Sequence, residues 1–270
     1  MRVGLICHHD APLHRDGIAR WIASWATLTG ILVVQEPRRR LVRRVRREWR
    51  RGGAVGLLDV LAFRLYYRLV LGAADKRWRE QQLDTLRQRY APVPGTAPEL
   101  TVSSPNAPEA REFLDAGAPD LVIALCKNIL SEKVFSLPKL GTFVLHPGIC
   151  PEYRNAHGCF WALVQRDLGN VGLTLLRIDR GIDTGPAFAY FRAPYDERVE
   201  SHCVIQDRML LHNLEAIRDC FQSIAAGQSQ PSPNGGRTSA EWGQPRLTSY
   251  LRWKRAARRM TRAQPSTAES

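Results

Sequence analysis

Leu121 to Leu125 is an unbroken apolar run, Leu-Val-Ile-Ala-Leu, with no polar residue alternating through it. A strand that is apolar on both faces has to be covered on both, the condition of a central strand in a sheet with helices on each side. Val3 to Cys7 has the same character at the start of the chain, and Ile31 to Gln35 reads as a second strand. Between them Ile18, Trp21, Ile22 and Trp25 recur at helical spacing over Asp16 to Thr27. This β-α-β opening predicts an α/β fold, a Rossmann-like, mostly parallel sheet flanked by helices. No Gly-x-Gly-x-x-Gly follows the first strand, where the loop reads His8, His9, Asp10, Ala11, Pro12, so a dinucleotide cradle is disfavoured.

The alternation is interrupted from Arg38 to Tyr90, which carries helical spacing nearly throughout and reads as a helical, basic insertion. Leu57, Leu58, Leu61, Leu65 and Leu69 give it a wide apolar face, which must cover the sheet, a partner subunit or a lipid surface, the sheet being the expected one. Nine arginines fall between Arg38 and Arg51, in a chain whose net charge is +13. Such a segment attracts phosphates, so a nucleic acid or an anionic surface is one partner to consider; a solvated helix face is the other reading. Leu41, Val42, Val45 and Trp49 on one side would make the segment amphipathic as well as basic. A second basic cluster runs from Arg252 to Arg262.

Downstream, Leu100 to Ser103 resumes the strands, Pro108 to Ala116 is a short helix, and His202 to Ala226 is an amphipathic helix with Leu210, Leu214, Ile217, Phe221 and Ile224 along one stripe. Gly227 to Gly236 is rich in Gly, Ser, Pro and Gln and reads as a linker. The expected organisation is a domain over 1–227, with the insertion at 38–90, then a linker and basic tail over 228–270, disordered after Ala263. The six cysteines stand singly among apolar neighbours, as thiols of a reducing compartment do, rather than as disulfide or metal pairs. Met1 to Cys7 is too short for a secretory signal, and Ala54 to Asp75 is broken by Asp59, Arg64 and Arg68. A cytoplasmic protein without a transmembrane segment is expected.

The residues with chemical potential concentrate between Gly141 and Pro186. A short apolar strand ends in His146 and Pro147 and empties into a stiff loop containing Pro151, Glu152, Tyr153, Arg154, Asn155 and His157. A second strand, Val171 to Ile178, closes in Asp179, Arg180, Gly181, Ile182, Asp183, Thr184, Gly185, Pro186. Both loops are expected at one edge of the sheet, beyond strand ends where open α/β sheets bind ligands.

The spelling of these loops resembles the folate-dependent formyltransferase family over roughly Pro119 to Tyr190. His146 with Pro147 and Pro151 is similar to its histidine loop, Tyr153 and His157 to residues of its glycinamide ribonucleotide members, and Asp183 with Gly185 and Pro186 to its aspartate turn. The resemblance implies a formyltransferase-like catalytic domain that uses 10-formyltetrahydrofolate as co-substrate and no metal. It makes His146 and Asp183 catalytic and sets Lys127, Asn128, Leu130 and Phe135 beside the folate. Where the family carries an asparagine that holds the oxyanion, this chain has Val144. Loss of one such donor costs about 2.7–4 kcal/mol of transition-state stabilisation. Asn128, Asn155, His157 or a backbone amide would take its place, the three side chains being acceptor contacts otherwise.

Formyl transfer to an amine needs an oxyanion stabiliser and a proton shuttle, and a histidine beside a carboxylate suits both. The acceptor is expected to be a small amine, such as an amino sugar or amino acid derivative. The family members that bind ribose phosphate carry a glycine-rich loop after the first strand, so by that resemblance its absence here argues against glycinamide ribonucleotide, and His8, His9 and Asp10 stand where they would touch the acceptor or simply form a polar loop. A methionyl-tRNA formyltransferase-like activity is the nearest alternative, and a catalytically impaired folate- or polyanion-binding homologue the other.

Overall fold

Seven strands form the central sheet of the computed structural model, in the order β3-β2-β1-β4-β5-β7-β8. The structure describes residues 1–36, 40–233 and 235–262, with side chains except at 40–47, 51 and 260–262. The sheet is built from β1 (Arg2–His8), β2 (Thr27–Val34), β3 (Glu99–Val102), β4 (Leu121–Leu125), β5 (Gly141–Pro147), β7 (Leu173–Arg177) and β8 (Ala187–Phe191). The first five pair in parallel, whereas β7 runs antiparallel to β5 and β8 antiparallel to β7. Two short strands, β6 (Arg154–Asn155) and β9 (Glu241–Trp242), form a separate parallel pair.

The apolar runs are covered on both faces, as their composition requires. Leu5, Ile123, Phe143 and Leu175 lie in one cluster with Trp21, Phe160, Phe221 and Trp253. Ile6, Leu32, Val122 and Ala124 lie in another with Leu114 and Val134. Helices α1 (Ala19–Ala23), α6 (Gly158–Val164), α7 (His202–His212), α8 (Leu214–Ala225) and α9 (Leu247–Arg262) supply the first cluster, and α4 (Pro108–Gly117) and α5 (Glu132–Phe135) the second. Emptying one such position, as Ile123→Ala would, costs about 2–5 kcal/mol. The helix expected over His202 to Ala226 is broken at Asn213, and the predicted stripe Leu210, Leu214, Ile217, Phe221, Ile224 is buried throughout.

The insertion is helical: α2 (Arg40–Tyr66) leads through a π-helical turn, Tyr67–Leu71, into α3 (Gly72–Arg89). Gly53, at φ 61°, breaks α2 into two helices. Two expectations are corrected here. The leucine face does not cover the sheet: Leu58, Leu61, Leu65 and Leu69 are exposed, and Val60 and Phe63 are the large apolar side chains that α2 buries among the described residues. The segment 228–270 is not simply linker and tail, because Ser232 bridges to Ala187, β9 pairs with β6, and α9 buries Tyr250, Trp253 and Ala257. Its composition is polar because only one stripe of α9 faces inward. Arg38, Arg39 and most side chains of the arginine-rich segment, and the tail after Ala263, lie outside the described residues.

Candidate active site

β1, β4 and β5 are parallel, so their carboxyl ends share one edge, and the strand order reverses beside β1, where an open sheet leaves a crevice. The loops after β1 and β4 meet there: the Lys127 backbone N–H donates to His8 Nε2 at 2.9 Å. Asn106 clamps the β4 loop, accepting from the Ser131 N–H at 2.8 Å and donating to the Ile129 carbonyl at 2.9 Å. Asn128 donates to Glu36 at 2.9 Å, while its Oδ1 is buried without a partner. Leu130 and Phe135 pack in the second core cluster and hold this loop from below; Ile129 is the exposed apolar residue.

His146, at the end of β5, is 3 % exposed. Its Nε2 lies 2.8 Å from the Tyr153 carbonyl, which only accepts, so this nitrogen carries the hydrogen. Its Nδ1 lies 3.3 Å from Asp183 Oδ2. The two groups do not reach each other from one edge. Because β7 is antiparallel, Arg177 pairs with Phe143 near the start of β5, and the following turn must fold back to bring Asp183 to His146. Asp179 shapes that turn, accepting from the Gly181 N–H at 2.9 Å and the Thr184 hydroxyl at 2.7 Å. Gly185 is forced, since a Cβ there would lie 1.8 Å from the Arg177 carbonyl oxygen.

The loop from Gly148 to His157 closes on the same carboxylate. Its ends touch through two glycines: a Cβ on Gly158 would sit 2.6 Å from the Pro147 carbonyl oxygen and 2.8 Å from Gly148 Cα. The Asn155 N–H donates to Asp183 Oδ2 at 2.8 Å. Its side-chain amide gives its hydrogens to Glu241 at 3.0 Å and the Trp242 carbonyl at 2.8 Å, so it is spent on structure. Arg154 joins this loop to the aspartate turn by donating to the Ile182 carbonyl at 2.8 Å. Trp242 stacks on Tyr153 and Trp161, with ring centroids 5.6 and 5.1 Å away. Sequence reasoning missed Trp242 and Arg237, whose guanidinium grips Glu152 at 2.7 Å; a tryptophan inside a polar stretch was the available signal.

His157 is half-buried in a left-handed conformation, φ 57°. Burial first, then the charges of Lys127, Arg64 and His146, push its pKa down to about 3, so at neutral pH it is a neutral imidazole with an N–H to donate. His202, 5.5 Å behind it, is pushed well below its ordinary value, again chiefly by burial. His8 and His14 are lowered by burial, with Lys127 adding to both. Val144 lies two residues before His146 on the strand and packs against Cys150, Leu176 and Ala187. Among the described residues no group of three or more His, Cys, Asp or Glu side chains could hold a metal ion, and no helix is long and apolar enough to cross a membrane.

A family profile described as formyl transferase matches residues 74–217, just over half of the chain. The methionyl-tRNA formyltransferase of Thermotoga maritima is 37% identical over 152 residues, covering 52% of this chain and 47% of that protein. The chain spans about half the length of the curated relatives it matches. Among solved structures, phosphoribosylglycinamide formyltransferase from Anaplasma phagocytophilum shares the fold, with TM-score 0.54 and 16% identity over 91% of this chain and 99% of that one. A sugar N-formyltransferase from Shewanella sp FDAARGOS_354 does likewise, with TM-score 0.53 and 12% identity over 94% of this chain and 87% of that one.

Proposed function

We propose, from the premise that this chain belongs to the formyl transferase family, that it transfers a formyl group from 10-formyltetrahydrofolate to the amino group of a small acceptor in the cytoplasm. The observation that carries this reading is the Asp183 carboxylate, 19% exposed, backed at 3.3 Å by the buried His146. A carboxylate that is reachable in front and fixed from behind is placed to take a proton from an attacking amine. His146 then stabilises or shares that proton through Nδ1, its Nε2–H being held by Tyr153.

The β4 loop is the seat of a pterin-like heterocycle in this reading. Asn128 Oδ1 is a buried acceptor lacking a donor, and Ile129 offers apolar surface beside it. Bound there, 10-formyltetrahydrofolate would supply an activated formyl carbon. Lys127, Asn128 and Ile129 would hold the ring, with Leu130 and Phe135 supporting the loop. His157 is the oxyanion donor in this reading: its neutral N–H is available, whereas the Asn155 amide is committed to Glu241 and Trp242.

β9 pairs with β6 and α9 packs in the first core cluster, so both belong to the domain that carries the site, and a small amine is placed ahead of transfer RNA as the acceptor in this reading. The test is release of tetrahydrofolate by the intact protein across a panel of amino sugars, amino acid derivatives and methionyl-tRNA. Turnover with an amine, lost in Asp183→Asn, supports the reading. Val144, apolar where the resemblance expects a donor, motivates the second reading, a binding homologue; tight folate binding with no turnover on any amine would favour it.

A further inference from the structure

Beyond Gly53, α2 and the turn after it carry Val55, Leu58, Leu61, Leu65 and Leu69, which are between 41 and 80% exposed. Single exposed leucines are ordinary, but five large aliphatics recurring at helical spacing make a continuous stripe. They lie opposite Val60 and Phe63, the residues by which the same helix packs inward. Trp49, just before the break, is exposed as well.

α9 lies alongside. Asp59 of α2 accepts from the Thr248 N–H at 3.0 Å, and Arg246 reaches Gly52 and Gly56. Phe63 and Trp253 both rest on Phe160 of α6, with centroids 6.1 and 6.4 Å away, so the two helices cover one region of core. The outer face of α9 is arginine: Arg252, Arg255 and Arg259 line a concavity of about 580 Å³ with Ala256. None of these three has a carboxylate partner among the described residues, whereas Arg15, Arg79, Arg87, Arg166 and Arg237 do.

The juxtaposition selects the occupant. A nucleic acid would satisfy the arginines and leave the aliphatic stripe in water. A second copy would bring the same +13 charge to a face already basic. The headgroup region of an anionic bilayer satisfies both, taking aliphatic side chains into its acyl boundary and setting phosphates against guanidinium groups. We propose that the outer faces of α2 and α9 form one docking surface for an anionic phospholipid bilayer, with the Val55–Leu69 stripe entering the headgroup–acyl boundary and the arginine-lined concavity receiving lipid phosphates. This inference does not rest on the formyl-transfer reading.

The test is co-sedimentation of the intact protein with vesicles of phosphatidylcholine alone or with phosphatidylserine in equal parts. Partitioning onto the phosphatidylserine vesicles is expected, little onto phosphatidylcholine, and less with added salt. Leu58→Asp with Leu65→Asp, and separately Arg252→Glu with Arg255→Glu, should each lower partitioning at least tenfold, on the order of one favourable contact or charge lost per site, with unchanged circular dichroism. The proposal is overturned if wild type ignores phosphatidylserine, or if both variants bind as wild type does. A solution dimer dissociated by the leucine variant would assign the face to a second copy instead. Transfer-RNA binding abolished by the arginine variant alone, without vesicle binding, would assign it to RNA.

Discussion

Asn155 and Asp183 meet with both backbones left-handed, at φ 72° and 51°, the amide N–H of one on the carboxylate of the other at 2.8 Å. Asn and Asp are the side-chain-bearing residues that enter this region most readily, so each can stand at the corner of its turn, and the hydrogen bond ties the two turns together. The carboxylate is thereby fixed against His146 before any substrate arrives.

Gly185→Ala tests that fixing without touching a titratable group. A Cβ 1.8 Å from the Arg177 carbonyl oxygen must displace the turn, and a shift of about 1 Å at a catalytic group can cost on the order of a hundredfold in rate. Turnover should fall by about that factor while far-ultraviolet circular dichroism stays native; an unchanged kcat would show that the position of Asp183 is not critical.

His157 is assigned the oxyanion role that Val144 cannot fill. His157→Phe should therefore lower kcat by about 10²–10³. Val144→Asn should leave kcat nearly unchanged and lower stability by about 1–3 kcal/mol, because it buries an amide against Cys150, Leu176 and Ala187. A large gain in rate from Val144→Asn, with a mild effect of His157→Phe, would reverse the assignment.

Acid should destabilise the fold through its neutral histidines. His157 holds its proton in the unfolded chain below about 6.5 but in the folded protein only below about 3. In that window the unfolded state binds more protons, so stability falls as pH falls, and it is flat above 6.5 as far as this group is concerned. Each such histidine contributes a slope of about 1.4 kcal/mol per pH unit. His202, with Nδ1 buried and unpartnered among Phe63, Phe160 and Tyr250, adds to it. Urea melts of His202→Phe should show a shallower loss between neutral and acid pH; an identical slope would contradict this account.

Trp242→Ala removes the stack on Tyr153 and Trp161 and the hydrogen bond from its indole to the Glu152 carbonyl, 2.9 Å. A loss of about 3–5 kcal/mol is expected in chemical denaturation, with kcat falling further than the remaining folded fraction explains. A drop in stability alone would confine Trp242 to structure.

The sheet was legible because its strands are short apolar runs, and both Leu121–Leu125 and Val3–Cys7 are central parallel strands. His146 and Asp183 were legible through the spelling of their loops, but the route between them was not. Nothing in Val171 to Ile178 announces that it pairs antiparallel with β5, and only that pairing requires the turn to fold back. The leucines of α2 misled because helical spacing identifies an apolar face without saying what it meets. α9 was hidden by its arginines, since a helix with one buried stripe reads as a basic tail when its composition is averaged.

The central claim is that Asp183 receives the proton of the attacking amine with His146 behind it. The most direct measurement is single-turnover formyl transfer by Asp183→Asn beside wild type, with 10-formyltetrahydrofolate affinity measured on the same samples. The account predicts a rate lower by about 10²–10⁴ at nearly unchanged affinity. A variant that transfers the formyl group at the wild-type rate would contradict it.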